Sequence, residues 1–246
     1  MSAKNGPIDN HGIDWTRYSS SYDLMVRYNP YYRENIELAI EVVAEIELSP
    51  TARIGDLGAG TGNYIAALSS IIPEGRFTHV DADPGMNAIA SDKYSRVGLD
   101  VGVITSEVAS LAPSSSEYDL LLCINALYAM PKPREVLEWV FKALSPGGHF
   151  FVIDYGRKMK VGGWALELTK AAYAEKGWKG VFQLYRQAPE LIRQNSTGSK
   201  MQDEGGYWTH STNEFLAALK QAGFSVLHSG TCYRDACDFA LVRKPN

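Results

Sequence analysis

The stretch Ile54-Gly55-Asp56-Leu57-Gly58-Ala59-Gly60-Thr61-Gly62-Asn63 decides the fold. Apolar residues around Asp56 read as the end of a buried strand, and a helix is expected to open near Tyr64. Between them glycine returns at every second position, 58, 60 and 62. Lacking a Cβ, such a loop turns sharply and lies flat against a ligand at a helix N-terminus. At the carboxyl end of the first strand of an α/β sheet, this is where nucleotide-like ligands bind. A dinucleotide fingerprint would need glycine or alanine at position 63, which is Asn63, so a dehydrogenase is disfavoured.

The flanking chain repeats the pattern. Strands are expected at about 53–57, at Phe77–Val80 ending on Asp81, at about 101–104, at Tyr118–Ile124 and at His149–Asp154. Helices are expected after Asn29-Pro30 (Ile36, Ile40 and Val43 at helical spacing), over about 63–71, briefly from Pro84 through Met86 and Ile89, and over Pro133–Leu144. After Asp154 the alternation pauses. Two helices, at about 163–175 and 181–194, lead to a polar loop over Asn195–Gly206. A helix at about 212–222 stopped by Gly223, and strands centred on 224–228 and 237–242, close the chain. This alternation predicts an α/β fold with a mostly parallel seven-stranded sheet covered by helices on both faces. Its expected parts are an aromatic N-terminal cap (1–50), a Rossmann-like core (51–154), a helical lid on the ligand side of the sheet (155–211), and a C-terminal helix with the last two strands (212–246).

The chain has 246 residues, 45% hydrophobic and 21% charged, with a net charge of −4. That suits a globular protein and gives no overall attraction for a polyanion, so nucleic acid is not an expected partner. The longest apolar runs are too short for a membrane span. Met1 to Asn10 lack a signal-peptide core, residues 1–13 are expected to fray, and the expected compartment is the cytoplasm. Cys123, Cys232 and Cys237 form no C-x-x-C pair, and the five histidines have no ligand spacing, so neither a disulfide scaffold nor a metal is expected.

The G-x-G-x-G loop resembles motif I of class I S-adenosylmethionine (SAM)-dependent methyltransferases. The companions Asp81, Met86, Glu107-Val108, Asn125 and Pro146-Gly147-Gly148 fall in that family's order. The resemblance implies SAM as cofactor and S-adenosylhomocysteine as product. Asp81 would hold the ribose hydroxyls beside Ala82, and Met86 would cover the adenine. Glu107 and the Val108 N–H would read the adenine edge, and Gly58, Ala59 and Gly60 would lie against the cofactor, with Asp56 near its ammonium or bracing the loop. Ser106-Glu107 stands where the family usually has Gly-Asp. At the N-terminus, Asp14-Trp15-Thr16 followed by Asp23, Met25, Arg27, Pro30 and Tyr32 looks like the carboxy-SAM synthase family, which makes a carboxylated SAM for transfer-RNA wobble modification. That likeness implies that Tyr32 and Asn125 touch the cofactor and that a lid arginine, for which Arg186 is the candidate, holds the added carboxylate. Here the family reads Gly-Cys-Ser where this chain has Gly58-Ala59-Gly60, which points back to the broader class.

Methyl transfer from a sulfonium is an in-line displacement that needs positioning, exclusion of water and sometimes a base. His210 is a candidate base, against a plain packing role beside the next helix cap. Tyr128 and Tyr155 follow strands four and five and are candidates to face the acceptor. Tyr22 and Arg27 could reach the cofactor's amino-acid end. Trp164, Tyr173 and Arg186 are candidate acceptor contacts in the lid, against the alternatives of lid core and a solvated face. The expected activity is methyl transfer to an oxygen or nitrogen of a small aromatic or carboxylate-bearing metabolite. A carboxy-SAM synthase-like enzyme and a non-catalytic SAM-binding module are the alternatives, and a homodimer is left open.

Overall fold

The computed structural model describes residues 12–112, 117–158 and 161–246; the side chains of 161 and 162 are not among what it describes, and the polar leader and His11 lie outside it. Seven strands form one sheet: β1 (Arg53–Leu57), β2 (Arg76–Asp81), β3 (Val101–Thr105), β4 (Tyr118–Ile124), β5 (Leu144–Tyr155), β6 (Ser225–Cys232) and β7 (Cys237–Arg243). Their order is β3-β2-β1-β4-β5-β7-β6. All pairs are parallel except those of β7, which runs antiparallel to both β5 and β6. Strand order reverses between β1 and β4, and their carboxyl ends diverge there to leave a crevice. β4 is buried along most of its length because helices cover both faces, which is why Leu120 to Ile124 read as an unbroken apolar run.

The described residues also form eight α-helices: α1 (Trp15–Tyr28), α2 (Pro30–Ala44), α3 (Asn63–Leu68), α4 (Pro84–Val97), α5 (Pro133–Ala143), α6 (Val161–Gln187), α7 (Pro189–Asp203) and α8 (Thr212–Gln221). Local chemistry sets their ends. The Asp83 side chain caps α4 by accepting from the Met86 N–H with Pro84 in the first turn, and Gly98 ends it at φ +69°. Ser211 and Glu214 form a reciprocal capping box on α8. Asn29 receives the end of α1 and caps α2.

Several segments depart from the sequence expectation. The helix from Pro84 runs to Val97, well beyond the brief turn expected, and α3 stops at Leu68 rather than about 71. α1 was not anticipated: its buried stripe of Tyr18, Ser21, Met25 and Tyr28 uses tyrosines where aliphatics would have shown the period. Ile13, expected to fray, is only 2% exposed. The supposed loop Asn195–Gly206 is mostly the second half of α7. There the buried face is Leu191, Gln194, Gly198 and Gln202, and polar groups on a core face leave no hydrophobic periodicity to read. Their hydrogen bonds make burial affordable: Gln194 accepts from the Asp14 N–H at 3.3 Å, and Gln202 donates to the Arg157 carbonyl at 3.3 Å.

α1, α6 and α7 pack on one another over the carboxyl ends of the strands. α6 is broken at Lys176 and Gly177, where φ reaches +57° at the glycine. No helix among the described residues is long and apolar enough to cross a membrane.

Candidate active site

The crevice between β1 and β4 opens as a cleft of about 190 Å³. Its floor is the glycine loop, and the three glycines serve different ends. A Cβ on Gly58 would lie 2.5 Å from the Ala126 methyl, and one on Gly62 would collide with the Tyr94 hydroxyl. A Cβ on Gly60, at φ +56°, would meet no atom within 4 Å, because that residue faces the cleft. Gly58 and Gly62 allow the loop to pack, and Gly60 leaves room for what lies on it.

Asp81 ends β2 at the cleft wall with both oxygens engaged. Oδ2 accepts the Gly60 N–H at 2.8 Å and Oδ1 the Asp83 N–H at 2.9 Å. Burial raises its pKa to about 6, although those two N–H groups pull the other way. Asp81 therefore braces the loop and keeps lone pairs facing the cleft, a structural duty that the sequence reading did not foresee. Asp56 lies beneath the loop, 1% exposed, with no hydrogen-bond partner for Oδ2 among the described residues. Burial, and secondarily the Asp81 carboxylate, push it up to about 7. An orphaned carboxylate oxygen calls for a cation or donor.

Of the residues proposed to hold a cofactor, Tyr22, Gly58, Gly60, Asp81, Ala82, Met86, Glu107, Val108 and Asn125 line this cleft, and Ala59 sits on the loop between the two lining glycines. Tyr32 lies one cavity further on. Arg27 does not reach the cleft: it is half-exposed and pairs with Glu175 of α6 at 2.6 Å. Trp15 and Ser106, quoted above as motif positions without a cofactor role, also line the cleft, as does Met130, which only proximity in space could have found.

Trp15, Tyr22 and Asn125 also line a second, smaller cavity of about 40 Å³ beside the first. Tyrosines make its walls: Tyr18, Tyr22, Tyr32, Tyr128, Tyr155 and Tyr233, with Gln194 and Asn195 from α7. Tyr128 meets Tyr155 edge-on at 5.4 Å and Tyr207 at 5.0 Å. Burial pushes the Tyr128 and Tyr155 hydroxyls well up, so both are neutral hydrogen-bonding groups and not anionic bases. Asn125, at the junction, holds φ +53°, a conformation uncommon for a residue with a Cβ, and its N–H donates to the Ile153 carbonyl at 2.7 Å.

α1 roofs both cavities, and two of its ties join it to the core of the sheet domain. The Thr16 hydroxyl donates to Asp83 Oδ2 at 2.6 Å, and Asp23 Oδ1 accepts from the Thr61 hydroxyl at 2.6 Å. Lys93 adds an ion pair to Asp23 at 3.0 Å.

The remaining candidates lie elsewhere. His210 lines neither cavity. Its ring is wholly buried behind the tyrosine wall, with Nε2 3.3 Å from Asp154 and Nδ1 3.5 Å from Asp238, and it stacks on Phe215. Burial opposes its charge, but the two carboxylates outweigh burial and raise its pKa to about 9. A charged imidazolium held this way is no neutral base for an acceptor, and the sequence expectation is corrected to a structural role. Through Asp154, whose Oδ1 accepts the Tyr128 N–H at 2.9 Å, it supports the wall. Trp164 stands behind the chamber, 5.9 Å from Tyr155 and 5.6 Å from Tyr233. Tyr173 is 51% exposed against Trp178, and Arg186 is exposed on the last turn of α6; neither reaches the cavities.

Residues 54–148 match the family model of a methyltransferase domain. The carboxy-S-adenosyl-L-methionine synthase of Campylobacter jejuni strain 81-176 is 25% identical over 233 residues, covering 92% of this chain and 91% of that protein. The trans-aconitate 2-methyltransferase of Variovorax paradoxus is 30% identical over 121 residues, which span 49% of this chain and 45% of that enzyme. Among solved structures, the N-methyltransferase NodS of Bradyrhizobium japonicum, in complex with S-adenosyl-L-homocysteine, superposes with a TM-score of 0.61 at 15% identity, covering 95% of this chain and all of the other. The fold is that of the class I methyltransferases.

Proposed function

We propose that this S-adenosylmethionine-dependent methyltransferase binds its cofactor across the glycine loop and transfers the methyl group to a small molecule held in the tyrosine chamber, with an amine nitrogen the acceptor best suited to those walls. When bound, SAM supplies an electrophilic methyl on a sulfonium; the chain's part is to bind, orient and exclude water. Asp81 would accept from the ribose hydroxyls, Met86, Glu107 and Val108 would enclose the base, and the orphaned Asp56 oxygen would face the positive amino-acid end. Gly60 leaves the space, which a side chain would fill.

The observation that carries the reading is that Trp15, Tyr22 and Asn125 line both the cleft and the aromatic chamber, so that the two stand side by side. No carboxylate, histidine or cation stands among the described residues of its lining. A nucleophile there must react without a strong base, as a neutral amine does, and lose its proton afterwards. Positive charge grows on that nitrogen as the bond forms, and tyrosine faces stabilise it. Tyr128 and Tyr155, as neutral phenols, would orient the acceptor rather than deprotonate it.

The near full-length likeness to carboxy-SAM synthase supports a second reading, synthesis of a carboxylated SAM. Against it stands the chamber, whose described lining has no cation for an added carboxylate, and Arg186 lies outside. Incubation with isotope-labelled SAM and a panel of small amines, phenols and acids, read by mass spectrometry, decides between them. A methylated amine supports the first reading. A carboxylated nucleotide formed from SAM and a donor such as prephenate, with no methylated product, replaces it with the second.

A further inference from the structure

The hairpin between β6 and β7 carries chemistry that the methyl-transfer reading does not use. Cys232 and Cys237 are direct partners in the antiparallel register. Opposed residues in such a pair stand roughly 4.5–5.5 Å apart at Cα and share a face of the sheet, within the roughly 4.4–6.8 Å that disulfides bridge. Both are free thiols here, Cys232 half-buried and Cys237 fully buried. Between them Tyr233, Arg234 and Asp235 all hold positive φ, 53°, 55° and 59°. Three successive non-glycine residues in that region keep their conformation only where their surroundings hold them.

The surroundings are the acceptor chamber and its frame. The turn drives Tyr233 into the chamber wall, where its hydroxyl accepts from Asn29 and its ring meets Tyr155 at 5.6 Å. Arg234 lies over the Tyr31 ring, and Arg157 donates to the Asp235 and Cys237 carbonyls. From the buried end the Cys237 Sγ–H donates to Asn125 Oδ1 at 3.6 Å. Burial pushes that thiol well up, which keeps the donor proton on the sulfur. One thiol therefore faces partly outward, and its partner touches the residue that joins the two cavities.

We propose that Cys232 and Cys237 are an oxidisable pair whose disulfide withdraws a hydrogen bond from Asn125 and loosens the junction between cofactor cleft and acceptor chamber. The oxidant is a small peroxide, and the half-buried sulfur meets it. Cys232 sulfur attacks one peroxide oxygen, the O–O bond breaks, and the thiol becomes a sulfenic acid as one water leaves. Cys237 sulfur then displaces that hydroxyl, forming S–S and releasing the second water with the Cys237 proton. Two thiols are oxidised and one peroxide is reduced to two waters. With its proton gone, Cys237 has nothing to donate to Asn125. The consequence for SAM rests on the function proposed above; the bond and its effect on Asn125 do not.

The test uses the full reduced chain and hydrogen peroxide. Intact mass should fall by two hydrogens, and peptide mapping should join Cys232 to Cys237 with Cys123 still a free thiol. Deuterium uptake in a peptide spanning Asn125 to Met130 should quicken, SAM should bind about fivefold to tenfold more weakly, in line with one lost hydrogen bond, and dithiothreitol should reverse all three. C232S should show no joined peptide, no change in uptake and no peroxide effect on SAM binding. A disulfide through Cys123 or between molecules overturns the proposal, as does a Cys232–Cys237 bond that leaves uptake at Asn125 unchanged, or an equal response in C232S. If the reduced chain binds no SAM, the cofactor reading fails on its own, and peptide mapping and deuterium uptake still decide the switch.

Discussion

The cofactor cleft and the tyrosine chamber share three residues and are built in opposite ways. The floor and one wall of the cleft are local: a loop of a few residues, an aspartate at the tip of the next strand and a short turn after the third, all held to the strand ends of one sheet, with α1 and the segment after β4 closing the rest. The chamber is assembled from α1, the loops after β4 and β5, α7 and the β6–β7 turn, so that Tyr18 and Tyr233 meet across most of the chain. With the cofactor held as proposed, the backbone of the glycine loop would make many of the contacts in the cleft, and the identity of a few residues would suffice. In the chamber large side chains make the walls, and many of them can change without changing the fold. That difference explains how one fold keeps its cofactor while its acceptor varies.

Substitutions should therefore separate by region. Gly60→Val should nearly abolish SAM binding, because the side chain fills the cleft and cannot easily hold φ +56°; calorimetry with an unaltered dissociation constant would break the distinction. His210→Ala should spare SAM contacts but destabilise the chain by about 3 kcal/mol, since it leaves the buried Asp154 carboxylate without its cation, while Asp238 keeps Arg157 at 2.9 Å. The wild type should show the same linkage with pH. A histidine whose folded pKa lies near 9, above its ordinary 6.5, adds stability that is complete below 6.5 and lost as pH rises toward 9. Melting curves should show that decline in the wild type and a flatter profile in the variant.

Asp81→Asn should weaken SAM by about 1–2 kcal/mol, because one amide oxygen still accepts the Gly60 N–H while the charged acceptor is lost. SAM affinity itself should rise with pH through about 7. A cation favours the ionised form of Asp56, which burial holds near 7 in the free chain, so binding releases a proton. Affinity independent of pH between 6 and 8 would separate Asp56 from the ligand. Tyr155→Phe should have the smallest effect, under about 1 kcal/mol in acceptor KM with SAM affinity unchanged. A shift in SAM affinity instead would merge the two regions.

Legibility in the sequence followed the same division. β1, β4 and the glycine loop were readable because short-range rules specify them: apolar runs for doubly covered strands and alternating glycine for a turn under a ligand. The chamber was legible only in part: Tyr22, Tyr32, Tyr128 and Tyr155 stood out by their places in the chain, and the rest of its wall left no pattern. Tyr18 and Met25 lie on a helix whose inner face is phenolic, and Gln194 and Gly198 turn a polar or empty side inward. His210 shows the limit of reading by residue type: an imidazole in a plausible segment proved to be a buried counter-ion, a distinction made by Asp154 and Asp238, 56 residues before it and 28 after.

The fastening of α1 has a kinetic side. Its two ties, Thr16 to Asp83 and Thr61 to Asp23, stand on opposite rims of the opening and involve no atom of a ligand. Were α1 to lift for a ligand to pass, these ties would have to part with its others, and clipping either one would speed arrival and escape together with little change in their ratio. Residence time and affinity would thereby be set by different side chains.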